Sequence, residues 1–144
     1  MIIRDIHEDK SKDTKFKKIN DPVTRADIDS QFIIKGAFER FFKGLQFVGE
    51  ETQEPKQGEE PKFDVESVNL DYITIECLAS TLGKDLTSLN REIETKRCCV
   101  YVDPLDGTKD YVRGTLDAVT TMIGITVDDR PFIGIILRPF AKVE

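Results

Sequence analysis

The sequence predicts an α+β domain in which helices pack on a mainly antiparallel sheet. Three observations predict it. One long stretch, residues 26–43, repeats apolar side chains at helical spacing. Several apolar runs in the second half have the length and composition of strands. Two of these runs are joined by Asp128-Asp129-Arg130, a hairpin signature. Helices that come before sheet strands, with antiparallel pairing at the end, make a layered α+β arrangement.

The elements follow in chain order. Met1 to Asp9 reads as the tail of a helix, with Ile2, Ile3 and Ile6 as its apolar stripe and no capping residue before them. The lysine-rich Lys10–Asn20 stretch is expected to be a loop. Asp21-Pro22-Val23-Thr24 leads into a helix from Ala26 to Lys43. Ile28, Phe32, Ile33, Ala37, Phe38, Phe41 and Phe42 recur at three- and four-residue intervals there and predict one broad buried face. Gly44 is a natural terminator. Leu45 to Gly49 is expected to be a short strand that delivers Glu50 and Glu51 at its C-terminal end. Thr52 to Phe63 carries two prolines, a glycine and several glutamates, so an exposed loop. Between Asp64 and Glu94, Tyr72, Ile75, Leu78 and Leu82 suggest one helix. Cys98 to Val102 is a buried strand that ends at Asp103, and Ala118–Val127 and Pro131–Leu137 are the hairpin strands.

Composition narrows the classes of function. A chain of 144 residues, 39% hydrophobic and 33% charged, fits one globular domain with a real core. No apolar run is long enough to span a bilayer. Charges interrupt the first apolar residues at once, unlike a secretory signal. Three cysteines, two of them adjacent (Cys98 and Cys99), are no disulfide framework; both are read as small core residues. The expectation is a cytoplasmic protein that engages no membrane. A net charge of −6 argues against nucleic-acid polymers, which want basic surfaces. It leaves room for a small phosphorylated substrate, because cations held by carboxylates meet a phosphate from an acidic protein. His7, on a charged helix end, reads as an exposed residue.

The chemistry concentrates in Asp103-Pro104-Leu105-Asp106-Gly107-Thr108. A strand runs into two carboxylates three residues apart, with proline stiffening the turn and glycine allowing close approach of backbone. Both carboxylates and the Leu105 carbonyl can be aimed at one place, which suits a hard cation such as Mg²⁺. A short helix starting near Gly107 would turn its first amides to the same place. Asp-Pro-x-Asp-Gly is also good turn chemistry, and Asp106 can cap a helix. Asp106, Thr108, Asp110 and Asp117 occupy positions one, three, five and twelve of a calcium loop, but position six is Tyr111 where glycine is needed. Glu50 and Glu51 at a strand end, and Asp27 at a helix start, are unremarkable one by one. Strand ends converging on one rim would bring Glu50, Asp103 and Asp106 into one cleft, where repulsion calls for cations.

Taken together, Thr24-Arg25-Ala26-Asp27, Gly49-Glu50-Glu51 and the 103–108 hexapeptide resemble, in order and rough separation, the signatures of the inositol monophosphatase superfamily of lithium-sensitive, Mg²⁺-dependent phosphatases. The resemblance runs from near Met1 to Arg138-Pro139-Phe140 and is weakest over Thr52–Arg97. Lys109-Asp110-Tyr111 and the ungapped passage to Thr120 are most similar to the 3′(2′),5′-bisphosphate nucleotidases within that superfamily. The resemblance implies the N-terminal half of a layered α/β/α/β/α sugar-phosphatase fold and two or three Mg²⁺ ions. It implies that adenosine 3′,5′-bisphosphate is converted to AMP and phosphate, with inositol phosphates as the alternative substrate. It further implies that Glu50, Asp103 and the Leu105 carbonyl bind one ion, that Asp103 and Asp106 share a second, and that Glu50 holds a third, weaker one. Glu51 stands behind these ligands. Thr108 and Asp27 orient the attacking water, and the Gly107 and Thr108 amides hold the phosphate. Lys109 and Arg113 read as solvated helix charges.

Members of that superfamily continue into a second α/β domain, whereas this sequence stops at Glu144 after a predicted strand. Residues 1–144 are therefore expected to be a truncated, N-terminal metal-binding domain that lacks its C-terminal partner and is at most weakly active alone. The expected sheet edge and apolar surface would then be exposed. A reading from another class is a non-catalytic protein that binds metal or phosphate with the retained motifs.

Overall fold

The computed structural model describes residues 3–4, 15–18, 21–62 and 92–141. Residues 63–91, with the whole predicted helix around Tyr72–Leu82, lie outside them, as does His7; Ile3 and Arg4 are helical. The elements are β1 (Lys15–Lys18), β2 (Asp21–Val23), α1 (Arg25–Phe41), β3 (Gln46–Gly49), β4 (Cys98–Asp106), α2 (Thr108–Arg113), β5 (Thr120–Val127) and β6 (Arg130–Leu137), with short 3₁₀ turns at Thr95–Arg97 and Leu116–Ala118. The larger sheet has the order β3-β4-β5-β6. Its first pair is parallel and the other two are antiparallel. This is the expected α+β arrangement with a mainly antiparallel sheet.

Each boundary has a local cause. Thr24 caps α1, and Asp27, three residues on, accepts from the Thr24 backbone N–H at 2.7 Å. Gly44, at φ +81°, turns the chain after the helix, as its position predicted. Asp128 (φ 49°) and Asp129 (φ 60°) form the two-residue turn between β5 and β6, with Val127 opposite Arg130. Positive φ at both residues is the type I′ pattern that matches the twist of a hairpin. β4 runs to Asp106, past its predicted end at Asp103, with a register shift between those residues. Pro104 lies in the shift and donates no ladder hydrogen bond; its carbonyl accepts from Thr121 Oγ1 at 2.9 Å.

Two expectations are corrected. The Lys10–Asn20 stretch is not all loop, because Lys15–Lys18 pairs antiparallel with Asp21–Val23. A two-stranded ribbon needs only backbone partners, which a lysine-rich composition does not reveal. The apolar stripe of α1 is also not the deeply buried face. Phe32, Phe41 and Phe42 are exposed, and the buried residues of α1 are Ala26, Asp27, Asp29, Ser30 and Gln31. Polar side chains go inside when hydrogen bonds compensate, and three of these have named partners: Asp27 with Thr24, Asp29 with Arg25, and Gln31 with Glu51. Phe38 packs on Phe42 and on Phe47 of β3, so part of the stripe still joins helix to sheet. The cysteine reading holds in part: Cys99 is buried and Cys98 half-buried.

The core lies where the helices meet the end of β4. Ile3, Ala26, Leu105, Tyr111 and Val119 form one cluster, flanked by Val112, Leu116 and Phe140. Ile3, Leu105 and Val119 each contribute about 1.5–3 kcal/mol by leaving water. Tyr111 is fully buried, its hydroxyl 3.4 Å from the Ile3 carbonyl, which takes it out of any calcium loop and puts it in the helix α2. Arg4 donates from Nε to the Pro139 carbonyl and joins the two ends of the described chain. Thr52–Lys62 is without regular structure apart from one turn and is mostly exposed, as expected.

Candidate metal and phosphate site

β3 and β4 run parallel, so both deliver their C-terminal ends to the same rim of the sheet. Gly49 lies opposite Val102, and the Glu50 N–H donates to the Val102 carbonyl at 2.9 Å. Glu50 is thereby brought to Asp103. The two carboxyl groups share a hydrogen bond, and Asp103 is pushed up to about 7. Burial is the largest cause, followed by the Glu50 hydrogen bond and charge and by repulsion from Asp106, while the Leu105 N–H opposes them. That N–H donates to Asp103 Oδ1 at 3.2 Å. Asp106 is more exposed and accepts from Thr120 Oγ1 at 3.3 Å.

Thr108 opens α2 immediately after Gly107, which has φ +86°. A Cβ at Gly107 would meet the Ala118 carbonyl at an ordinary 3.4 Å, so glycine is favoured there by the backbone conformation rather than by space. The Thr108 hydroxyl stands 3.0 Å from Asp27 Oδ1 and 3.1 Å from the Leu105 carbonyl. Its single proton goes to the carboxylate, the stronger acceptor. Asp27 Oδ2 accepts from the Thr24 N–H and, at 2.6 Å, from the Thr24 hydroxyl. Both oxygens of this carboxylate, 1% exposed, are therefore used. Burial raises its affinity for a proton, and the bonds from Thr24 and Thr108 lower it.

Glu50, Asp103, Leu105, Asp106, Gly107 and Thr108 line one cleft of about 240 Å³, joined by Lys109 and Asp110. Thus all the sequence-selected residues except Asp27 and Glu51 border one space. Asp27 reaches it through Thr108, and Glu51 is buried behind Glu50. Among the described residues, no three Asp, Glu, His or Cys side chains form a ready-made ion cage. What is present is an all-oxygen donor set with excess negative charge, in which the Glu50 and Asp103 carboxyl groups lie close enough to raise the proton affinity of Asp103. That set suits a hard cation completing its shell with waters and a ligand phosphate, as Mg²⁺ does.

Sequence reasoning missed Gln31. Its amide Nε2 donates to the Glu51 carbonyl at 2.7 Å, and its Oε1 accepts from the Glu51 N–H at 2.8 Å. The available signal was its place one helical turn after Asp27, on the same face.

The fold and motifs agree with known proteins. Residues 1–143 match the model of the inositol monophosphatase family. The 3′(2′),5′-bisphosphate nucleotidase 1 of Dictyostelium discoideum is 31% identical over 140 residues, which are 96% of this chain and 42% of that protein. Inositol monophosphatase 3 of Danio rerio is 44% identical over 50 residues, 35% of this chain and 15% of that protein. A staphylococcal inositol monophosphatase-1, solved as a LiCl-soaked inhibitory complex, superposes with a TM-score of 0.59 at 17% identity, over 96% of this chain and 38% of its own. The chain thus spans well under half of the proteins it matches. With residues 1–143 matched by the family model and the same fold recovered independently, the chain belongs to the inositol monophosphatase family.

Proposed function

We propose that residues 1–144 form the metal-binding part of a Mg²⁺-dependent phosphomonoester hydrolase that removes the 3′-phosphate of adenosine 3′,5′-bisphosphate, giving AMP and phosphate. The convergence of Glu50, Asp103, Leu105, Asp106, Gly107 and Thr108 on one cleft, with Thr108 tied to buried Asp27, carries this reading. Glu50, Asp103 and the Leu105 carbonyl are assigned one ion, Asp103 and Asp106 a second, and Glu50 a third, weaker one. Bound there, the cations supply a lowered water pKa and neutralisation of leaving-group charge. The Thr108 hydroxyl donates its hydrogen bond to Asp27, which leaves the Thr108 oxygen lone pairs to accept from and orient a water. The Gly107 and Thr108 amides are assigned to the phosphate oxygens.

The nucleotide substrate is supported by Lys109-Asp110-Tyr111 and by the Dictyostelium relative. Lithium sensitivity is supported by the staphylococcal neighbour. The zebrafish relative favours a second reading, an inositol phosphate substrate at the same cleft. Full activity is assigned to a form that includes the part of the relatives this chain does not span, and residues 1–144 alone should turn over weakly at most. The compartment we assign is the cytoplasm; among the described residues no helix is long and apolar enough to cross a membrane.

The test is phosphate release from adenosine 3′,5′-bisphosphate and from inositol 1-phosphate, with Mg²⁺, with and without Li⁺. It is run on this chain and on any longer form, with Asp103→Asn as control. Mg²⁺-dependent, Li⁺-suppressed release from the nucleotide supports the reading. Preference for the inositol phosphate supports the second one. Silence from a folded, Mg²⁺-binding longer form would make the protein a non-catalytic binder.

A further inference from the structure

One face of α1 meets the ends of two different strands. Asp27 holds Thr108, just beyond β4, and one turn later Gln31 holds Glu51, just beyond β3. The two contacts differ in kind. At Glu51 the Gln31 amide uses both its donor and its acceptor on one residue, which is the pairing a neighbouring strand would supply. In the described sheet β3 is an edge strand with β4 as its partner, so the amide extends its hydrogen bonding on the helix side. Glu50 is then pinned from both flanks: its own N–H is bound to Val102, and the next residue is bound to Gln31. The clamp is buried, with Gln31 9% and Glu51 6% exposed.

Gly49 belongs to the same device. A Cβ there would lie 2.7 Å from Gln31 Nε2 and closer still to Cδ and Oε1. A side chain at position 49 would push the amide out of its present place, so the glycine makes room for it. Since α1 is a rigid rod that rises about 6 Å over four residues, the spacing of Asp27 and Gln31 is a fixed length between the two strand ends.

Resting on the phosphatase reading, we propose that Gln31 is a positioning residue of the metal centre: its amide clamp on Glu51 sets where Glu50 stands relative to Asp103, and so sets cation affinity. Groups that orient metal ligands from behind typically change affinity by about 10–100-fold when removed.

The experiment uses Mn²⁺ alone as probe, with free ion measured by EPR, on this chain and on Gln31→Leu, Gln31→Glu, Gly49→Ala and the double variant Gln31→Ala/Gly49→Ala. Thermal melting in EDTA is recorded beside it, so that affinity is compared at a temperature where each protein is folded. Gln31→Leu should weaken Mn²⁺ by about 10–100-fold. Gln31→Glu keeps the acceptor and loses the donor, and should fall between Gln31→Leu and the unaltered chain. Gly49→Ala should weaken Mn²⁺ strongly in the native background and add little to Gln31→Ala, where the colliding amide is gone. If Gln31→Leu does not fold, Gln31→Glu and the Gly49 pair carry the test. Native-like Mn²⁺ affinity in folded Gln31 variants, or an equal Gly49→Ala penalty in both backgrounds, overturns the inference and leaves the phosphatase reading standing. Absence of Mn²⁺ binding by the unaltered chain overturns both.

Discussion

Two side chains at the cleft separate chemistry from stability. The Thr108 hydroxyl donates to Asp27 Oδ1, while Thr24 occupies Oδ2. Thr108→Val keeps the shape and leaves that buried carboxylate oxygen without its donor, at a cost of about 1–3 kcal/mol. Thr108→Ser keeps the hydroxyl. In urea unfolding the valine variant should lose that amount and the serine variant well under half of it. In a longer, active form the valine variant should also lose turnover by at least about tenfold, since a general positioning contact is removed. Equal stability of the two variants would show that the Asp27 contact is not made in solution. Asp103 behaves in the opposite way. Burial and Glu50 push it up to about 7, so ionising it near neutral pH works against the metal-free fold. Asp103→Asn should melt higher than the unaltered chain at pH 8 in EDTA, yet lose the rise in melting temperature that Mg²⁺ gives. A variant that lowers the metal-free melting point would contradict this assignment of strain.

At the scale of elements, the hairpin offers the clearest test. Asp128 and Asp129 both have positive φ, a region that costs an ordinary side chain about 1–2 kcal/mol and aspartate less. Asp128 also accepts from Arg97 and ties the turn to the start of β4. Asp129→Gly should therefore stabilise the protein by about 0.5 kcal/mol, because the type I′ turn favours glycine at its second position. Asp128→Gly relieves the same strain but loses the Arg97 contact, and should fall short of Asp129→Gly by chemical denaturation. The turn was legible beforehand because its residues state their own backbone preference, as did Gly44 after α1 and the Asp103–Thr108 hexapeptide. What was not legible depends on partners distant in sequence. The β1 ribbon is a backbone pairing that lysines neither favour nor forbid. In α1, spacing alone selected Phe32, Phe41 and Phe42 for burial, whereas the partners of Asp27 and Gln31, at Thr108 and Glu51, drew a polar face inward. A periodicity argument weighs hydrophobicity and cannot see a hydrogen bond made across 81 or 20 residues.

Across the whole molecule, the buried acids make cation binding and folding one equilibrium. Asp103 binds its proton up to about pH 7 in the folded state, against 3.8 for an ordinary aspartate. Asp27 and Asp29 are raised in the same direction, chiefly by burial. Between these limits the native state carries more protons than the unfolded one, so the unfolding free energy falls as pH rises from about 4 to 7. Asp128, lowered by Arg97, acts the other way, but only below the ordinary aspartate range. The metal-free chain should thus be most stable near pH 4–5 and weaken toward neutrality, unlike the common pattern of greatest stability between about pH 5 and 8. Mg²⁺ replaces the Asp103 proton, so its stabilising effect should be small at pH 5 and grow through pH 7. With saturating ion at one hundred times Kd the gain is about 2.7 kcal/mol. Melting curves at pH 5, 6, 7 and 8, in EDTA and in Mg²⁺, should therefore diverge steadily. Parallel curves would place the cation away from Glu50 and Asp103. Divergence that survives Asp106→Asn but disappears with Asp103→Asn would locate the coupling in the Glu50–Asp103 pair, where a parallel strand pair brings two carboxyl groups closer than either charge alone would allow.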